Sequence, residues 1–159
     1  MTMQLKPIGK INCQNGQFNI QVDEAYRAGL LEVNQFDTLQ VLFWCHYMDK
    51  KEMRSMLVFD QPYKHSPEKM GVFATRSPVR PNPIALTAVS VLNVDAEAGI
   101  ITIPYIDAED GSPLLDLKPY TPSIDRVKNT QPPAWSAHWP TCVEESGEFD
   151  WAAEFVNAQ

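Results

Sequence analysis

The stretch TLQVLFWCHYM, residues 38–48, is apolar at nearly every position: Leu39, Val41, Phe43 and Cys45 take one parity and Leu42, Trp44 and Met48 the other. A strand with one face in water alternates apolar with polar. This run therefore predicts a strand covered on both faces, in the middle of a sheet or beneath a second layer, with His46 held near its rigid end.

Shorter segments repeat the theme. LKPIGKINC and GQFNIQVDE flank Gln14-Asn15-Gly16, and Asn-Gly between two β-favouring runs predicts a tight hairpin. SMLVF, GVFAT, IALTAVSVL, GIITIPYID and PLLDLKPY (113–120) are β-rich runs bounded by Pro, Gly or Asp. DEAYRAGLLEV, with Asp23 as a candidate N-cap, predicts a helix of about two turns. Seven or eight strands with one or two short helices predict a mainly β chain, most simply a single small β-barrel-type domain over residues 1–128. From 129 to 159 the character changes. TQPPAWSAHWP brings Pro132, Pro133, Pro140, Trp135 and Trp139, and GEFDWAAEFV has helical spacing, which together predict an irregular C-terminal tail packed on the barrel or on a partner subunit.

The net charge of -7 hides an asymmetry. Residues 50–80 hold seven Lys and Arg against Glu52, Asp60 and Glu68, a local excess of +4 that leaves the remainder at -11. The overall sign excludes whole-surface attraction to nucleic acid. It leaves two readings of the basic stretch, a solvated charged loop or a local landing site for an anion such as a carboxylate or an RNA backbone. No apolar run reaches the ~18 residues needed to span a bilayer, and MTMQLKPIGK lacks the apolar centre of a secretory signal, so a cytoplasmic protein without membrane contact is expected. Cys13, Cys45 and Cys142 form no Cys-x-x-Cys pair, and His46, His65 and His138 no i, i+4 pair; reduced thiols and no metal site are expected.

Within the basic stretch lies RSPVRPNP, residues 76–83. Its three prolines fix φ and push Ser77, Arg80 and Asn82 towards extended backbone, so the loop is stiff. An arginine on stiff backbone loses less entropy when it grips a carboxylate or phosphate. The same prolines also suit a plain braced crossover whose arginines point to water.

GVFATRSPVRPNPI and DGSPLLDLKPY, preceded by QVLFWCHYM, closely resemble the TsaA-like family, which includes the TrmO tRNA methyltransferases, over most of residues 5–125. The resemblance implies a β-barrel scaffold, S-adenosyl-L-methionine as cofactor and a homodimer with the cofactor near the subunit boundary. It also implies methylation of threonylcarbamoyl-adenosine beside the anticodon of tRNA, reached here through the local basic patch. Carried over by motif position, the cofactor contacts fall on His46, Tyr47, Arg76, Leu86, Gly111, Ser112, Pro113 and Leu114. The residue types suit the roles: Arg76 pairs with a carboxylate, Gly111 lets backbone amides come close, and Tyr47, Leu86 and Leu114 offer aromatic or apolar surface to the adenine and methionine chain. Each has a structural alternative, His46 and Leu86 as core residues and Asp110-Gly111 as a hairpin turn.

In-line methyl transfer from a sulfonium rests mainly on positioning. Asp116, Lys118 and Tyr120 share one face if DLKPY is a strand, which makes them the candidate catalytic wall, with Asp116 as a base and Lys118 equally able to be its simple partner. Arg80 and Asn82 are the candidate substrate contacts, Arg80 towards an RNA phosphate or a neighbouring subunit. The chain departs from the family pattern in four places. IGKINCQNGQFNI enters the hairpin without the family's basic Arg-Ser-Pro-like and Pro-Arg-Gln stretch, Asp37-Thr38 stands for Ser-His, Ala85 stands for Gly, and an acidic tail replaces an Asp-Pro-Arg-Pro extension. A non-catalytic cofactor-binding module and a small-molecule methyltransferase therefore stand as alternatives.

Overall fold

The structure is a computed structural model that describes residues 4–156. Asn15 and Gly16 both take positive φ, 54° and 73°, and join β1 (Gly9–Gln14) to β2 (Gln17–Val22) with Gln14 opposite Gln17. A two-residue turn of this hand matches the twist of its strands, which is why Asn-Gly occupies it. The remaining strands are β3 (Thr38–Trp44), β4 (Val58–Asp60), β5 (Lys69–Gly71), β6 (Ile84–Ser90), β7 (Asn93–Asp95), β8 (Ile100–Ile103) and β9 (Pro113–Pro119).

Seven strands make one antiparallel sheet in the order β6-β3-β9-β1-β2-β8-β7, and β4 and β5 pair separately. Among the described residues no ladder joins β6 to β7. The closed barrel expected from the sequence is thus replaced by an open sheet: β7 is three residues long and pairs only with β8, so it carries too few backbone groups to close a ring.

The chain divides into two compact units, one of residues up to Asp49 with Pro83–Arg126, the other of Lys50–Asn82 with residues from Val127 on. The first contains the seven-stranded sheet. Its core gathers Ile11, Ile20, Leu39, Val41, Phe43, Ile101 and Leu114, all buried. β3 does lie inside the sheet, between β6 and β9, but its burial alternates. Leu39, Val41 and Phe43 are buried, whereas Thr38, Gln40, Leu42 and Trp44 are half-buried, so only one face enters the core.

A register shift between β3 and β9 decides what the other face carries. Phe43 stands opposite Leu114 and Leu42 opposite Asp116, which leaves Leu115 as the extra residue of a bulge. Without it, Leu114 and Asp116 would share a face by the period-2 rule, and a carboxylate would point into the core. The bulge turns Asp116 to the face of Leu42 and returns Leu117 to the core side opposite Val41.

Two local expectations are corrected. The segment after Asp23 is a 3-10 turn, Glu24–Leu30, and Asp23 makes no side-chain cap bond; only Leu30 is buried, so there is no apolar face to draw out an α-helix. GVFAT is a 3-10 turn over Val72–Ala74 rather than a strand, because pairing with β4 already ends at Gly71.

In the second unit, α1 (Lys51–Arg54) and the β4–β5 ladder accompany the tail. The tail forms two single-turn helices, α3 (Val143–Ser146) and α4 (Trp151–Glu154), while α2 (Pro122–Asp125) belongs to the sheet unit. Asp150 caps α4 by accepting from the Ala153 N–H at 3.0 Å. The tail's apolar rings gather around Tyr63: Trp135 stacks on it at 5.4 Å between centroids, and Trp139 meets it edge-on at 5.0 Å. This is a small satellite core made of aromatics.

Candidate functional site

In the sheet unit, two sequence motifs some 65 residues apart come together. β3 ends at Trp44, and the Cys45 N–H donates to the Pro83 carbonyl at 2.8 Å, after which His46–Met48 turns as one 3-10 unit. The Glu109–Ser112 turn precedes β9, closed by Ser112 N–H to the Glu109 carbonyl at 3.1 Å. There the buried Ser112 hydroxyl lies 3.4 Å from His46 Nδ1. His46 is half-buried and tied to a polar partner rather than sealed in the apolar core. Tyr47 stacks obliquely on it at 4.1 Å and leaves 54% of its own surface exposed.

Gly111 has φ +78°, the left-handed conformation that L side chains rarely adopt, and nothing lies within 4 Å of the place its Cβ would take. The backbone there is open to approach. Asp110 holds the turn against β1, accepting from the Cys13 N–H at 2.8 Å and from Gln14 Nε2 at 2.9 Å. Those hydrogen bonds, Gln14 first, hold its carboxyl below the usual carboxylate range. Pro113 opens β9 half-buried; Leu114 is 0% exposed against the core, and its carbonyl accepts the Ile8 N–H at 2.8 Å. The Leu114 side chain is therefore core, and it presents no apolar surface outward.

The face of the sheet opposite the core carries the other predicted residues. Leu42 lies between Leu86 on β6 and Asp116 on β9, and Gln40 between Ala88 and Lys118. Leu86 is 44% exposed. Lys118 Nζ reaches Asp116 Oδ2 at 2.7 Å, and this bond raises the lysine above its ordinary value. Asp116 Oδ1 accepts the Leu117 N–H at 3.0 Å, so both carboxylate oxygens are engaged. Tyr120 follows the strand in the same register, its N–H donating to the Thr38 carbonyl at 3.0 Å.

Arg76, Arg80 and Asn82 belong to the second unit. Arg76 is exposed, between residues that brace the loop: Thr75 Oγ1 donates to the Val72 carbonyl at 2.9 Å and accepts the Ser77 N–H at 3.3 Å. Arg80 folds back over its own loop, Nη1 lying 3.4 Å from the carbonyls of both Thr75 and Ser77. Asn82 Oδ1 accepts from Arg54 Nη2 at 3.3 Å, while Arg54 Nε donates to the Pro81 carbonyl at 2.8 Å. Arg54 is thus a brace for the loop that the sequence reading counted only as charge. Among the described residues no group of three or more His, Cys, Asp or Glu could hold a metal ion, and no helix is long and apolar enough to cross a membrane.

Within the sheet unit, a polar turn and an open glycine backbone beside an exposed aromatic ring, set at the end of an antiparallel sheet, are the features of a small-ligand-binding β protein. A family model described as the tRNA-methyltransferase O N-terminal domain matches residues 3–126, and the chain belongs to that family. It is 36% identical over 143 residues to an S-adenosyl-L-methionine-binding protein of Archaeoglobus fulgidus, covering 81% of this chain and 97% of the relative. A probable S-adenosyl-L-methionine-binding protein of Pyrococcus abyssi is 34% identical over 125 residues, which span 79% of this chain but 64% of that protein. The crystal structure of TrmO from Pseudomonas aeruginosa superposes with a TM-score of 0.65 at 25% identity, covering 86% of this chain and 63% of the other. The chain thus spans just under two thirds of two of these three relatives.

Proposed function

We propose that this chain binds S-adenosyl-L-methionine and transfers its methyl group to a modified adenosine of tRNA, working as a homodimer. The observation that carries the reading is the meeting of His46-Tyr47 with Gly111-Ser112, the positions to which the resemblance of the two motifs carries cofactor contacts. The donor set fits the cofactor. Tyr47 and Leu86 offer aromatic and apolar surface, and the backbone at Gly111 can be approached because no side chain fills the space beside it. Arg76, on braced backbone, supplies the grip for the carboxylate, and the names of the archaeal relatives agree.

When bound, S-adenosyl-L-methionine supplies a methyl group activated on a sulfonium. The chain's own contribution is positioning: the outer face of β6, β3 and β9 aims an acceptor nitrogen, and Asp116 takes up the proton that nitrogen loses. Tyr120 and Lys118 flank that carboxylate in register. Arg80 and Asn82, with the rest of the +4 stretch, face the polyanion.

A second reading, cofactor binding without transfer, is favoured by the state of Asp116. Both its oxygens are occupied, by Lys118 and by the Leu117 N–H, so a free base is not standing ready. The two readings part in one experiment. The purified protein is titrated calorimetrically with S-adenosyl-L-methionine, then incubated with the methyl-labelled cofactor and bulk tRNA. Heat of binding with label in RNA supports the first reading, heat without label the second, and absence of heat refutes both.

A further inference from the structure

The cofactor reading draws on the end of β3 where Trp44 runs on into His46. The opposite end of the strand, at Thr38, opens onto a second cavity. A cleft of about 410 Å³ lies there between the segment 34–37, which begins in the 3-10 turn Val33–Gln35, and the β6–β7 connection at 91–94. Both walls belong to the sheet unit. At ~3.3 Å per residue the length of β3 puts this cleft ~20 Å along the strand from the His46–Ser112 site, so the two are separate. The walls are fixed before any ligand arrives. Val33, Val91 and Val94 pack against the core, and the Val91 N–H donates to the Asp37 carbonyl at 2.8 Å, which ties one wall to the other. The turn itself starts from Glu32 at φ 66°, a left-handed conformation that a residue other than glycine adopts only at a cost, and the Gln35 N–H closes it on the Glu32 carbonyl at 3.1 Å.

The lining has a definite chemistry. Asn34, Gln35 and Asn93 bring three carboxamides, Asp37 a carboxylate, Phe36 a ring 37% exposed and Leu92 an aliphatic side chain 63% exposed. Among the described residues no hydrogen bond engages the side chains of Asn34, Gln35, Asp37 or Asn93, so all four polar groups are available to a ligand. No Lys or Arg lines the cleft, and Asp37 repels anions, so a phosphate or carboxylate finds nothing to pair with. The ligand is therefore uncharged. A carboxamide presents a donor and an acceptor side by side, the pattern that matches the N6 and N7 edge of adenine. A partly exposed phenylalanine ring gives a base a face to stack on, and a carboxylate accepts from the hydroxyls of a ribose. A cavity of this size also suits a ligand of nucleoside dimensions.

We propose that this cleft is a second binding site, for an uncharged purine nucleoside whose base lies on Phe36 and Leu92 and meets the carboxamides of Asn34, Gln35 and Asn93, while its ribose hydroxyls donate to Asp37. The site goes beyond the cofactor reading and does not depend on it. No residue is shared between the two, and nothing in the cleft bears on methyl transfer.

The test follows the side-chain NH2 signals of Asn34, Gln35 and Asn93 by proton–nitrogen NMR while adenosine is added to protein held in excess S-adenosyl-L-homocysteine, which keeps adenosine out of any cofactor pocket. The three signals should move together and saturate. Because the readout belongs to the cleft, it stands whether or not the cofactor binds elsewhere. Phe36→Ala should weaken adenosine roughly five- to 150-fold, the yield of one base–aromatic stack, and Asn34→Ala roughly three- to tenfold, the yield of one hydrogen bond. Thermal unfolding checks that both variants are folded. If Phe36→Ala is not, the exposed Asn34→Ala decides. Adenosine 5′-monophosphate should bind no more tightly than adenosine, since the lining holds no cation. Four results would each overturn the proposal: cleft signals that stay still up to the solubility of adenosine, equal movement with glucose, tighter binding of the monophosphate, or folded variants that bind adenosine as well as the unsubstituted protein.

Discussion

Glu154 offers the most direct test of how the second unit is held. Its side chain is 4% exposed, and both carboxylate oxygens are used: Oε1 accepts the Trp139 indole N–H at 3.0 Å, and Oε2 lies 3.0 Å from His138 Nε2. Burial alone would push this carboxyl up, but the His138 and Trp139 hydrogen bonds outweigh it, and the group sits below the ordinary glutamate range. Glu154→Gln keeps the shape and removes the charge. The amide can still meet Trp139 with its oxygen and His138 with its NH2 if the ring nitrogen accepts, but the charge that strengthens these bonds is gone, a loss of about 2 kcal/mol and a fall in Tm of roughly 4 to 8 °C for a chain of this size. The sign with pH follows from the lowered value. A carboxyl whose folded pKa lies below its unfolded one contributes stability that is present above the unfolded pKa and lost as pH falls through the folded one. The gap between wild type and variant should therefore be constant near neutrality and close as the solution is acidified below about pH 4, the ordinary glutamate range. Tryptophan fluorescence during thermal unfolding reports it, since Trp135, Trp139 and Trp151 all lie in the affected cluster. A Glu154→Gln variant as stable as wild type at pH 7, or a gap that does not narrow with acid, would refute the reasoning.

Three further outcomes are expected. Arg76→Ala should weaken S-adenosyl-L-methionine binding by about 1.5 to 3 kcal/mol, roughly 10- to 150-fold; equal affinity by calorimetry rejects its role as the carboxylate grip. Gly111→Ala should cost about 1 to 2 kcal/mol from backbone strain alone, because the added methyl meets nothing within 4 Å, and a neutral result in urea unfolding would contradict the left-handed turn. Leu114→Ala should cost about 2 to 5 kcal/mol, as a cavity opens in the core of the sheet unit, and a small cost would deny its place there.

Much of this protein is set by residues acting on near neighbours. Asn15-Gly16 demands a hairpin wherever the chain goes, and Pro78, Pro81 and Pro83 stiffen their loop before any partner is present. The β-rich runs name themselves by composition, and two long motifs carry the family. The apolar run at 38–48 was legible as an interior strand but not as one with unequal faces, because what covers a strand belongs to other parts of the chain.

Tertiary structure alone decided the rest. Alternation assigns Leu114, Asp116 and Lys118 to one face of a strand, and only the bulge against β3 separates Leu114 in the core from the carboxylate and ammonium outside it. No local pattern announces that Arg54 braces Asn82 or that Glu154 joins Trp139 to His138. Period and turn chemistry are properties of a few consecutive residues, whereas register, burial and hydrogen-bond partnership come into being only when distant segments meet.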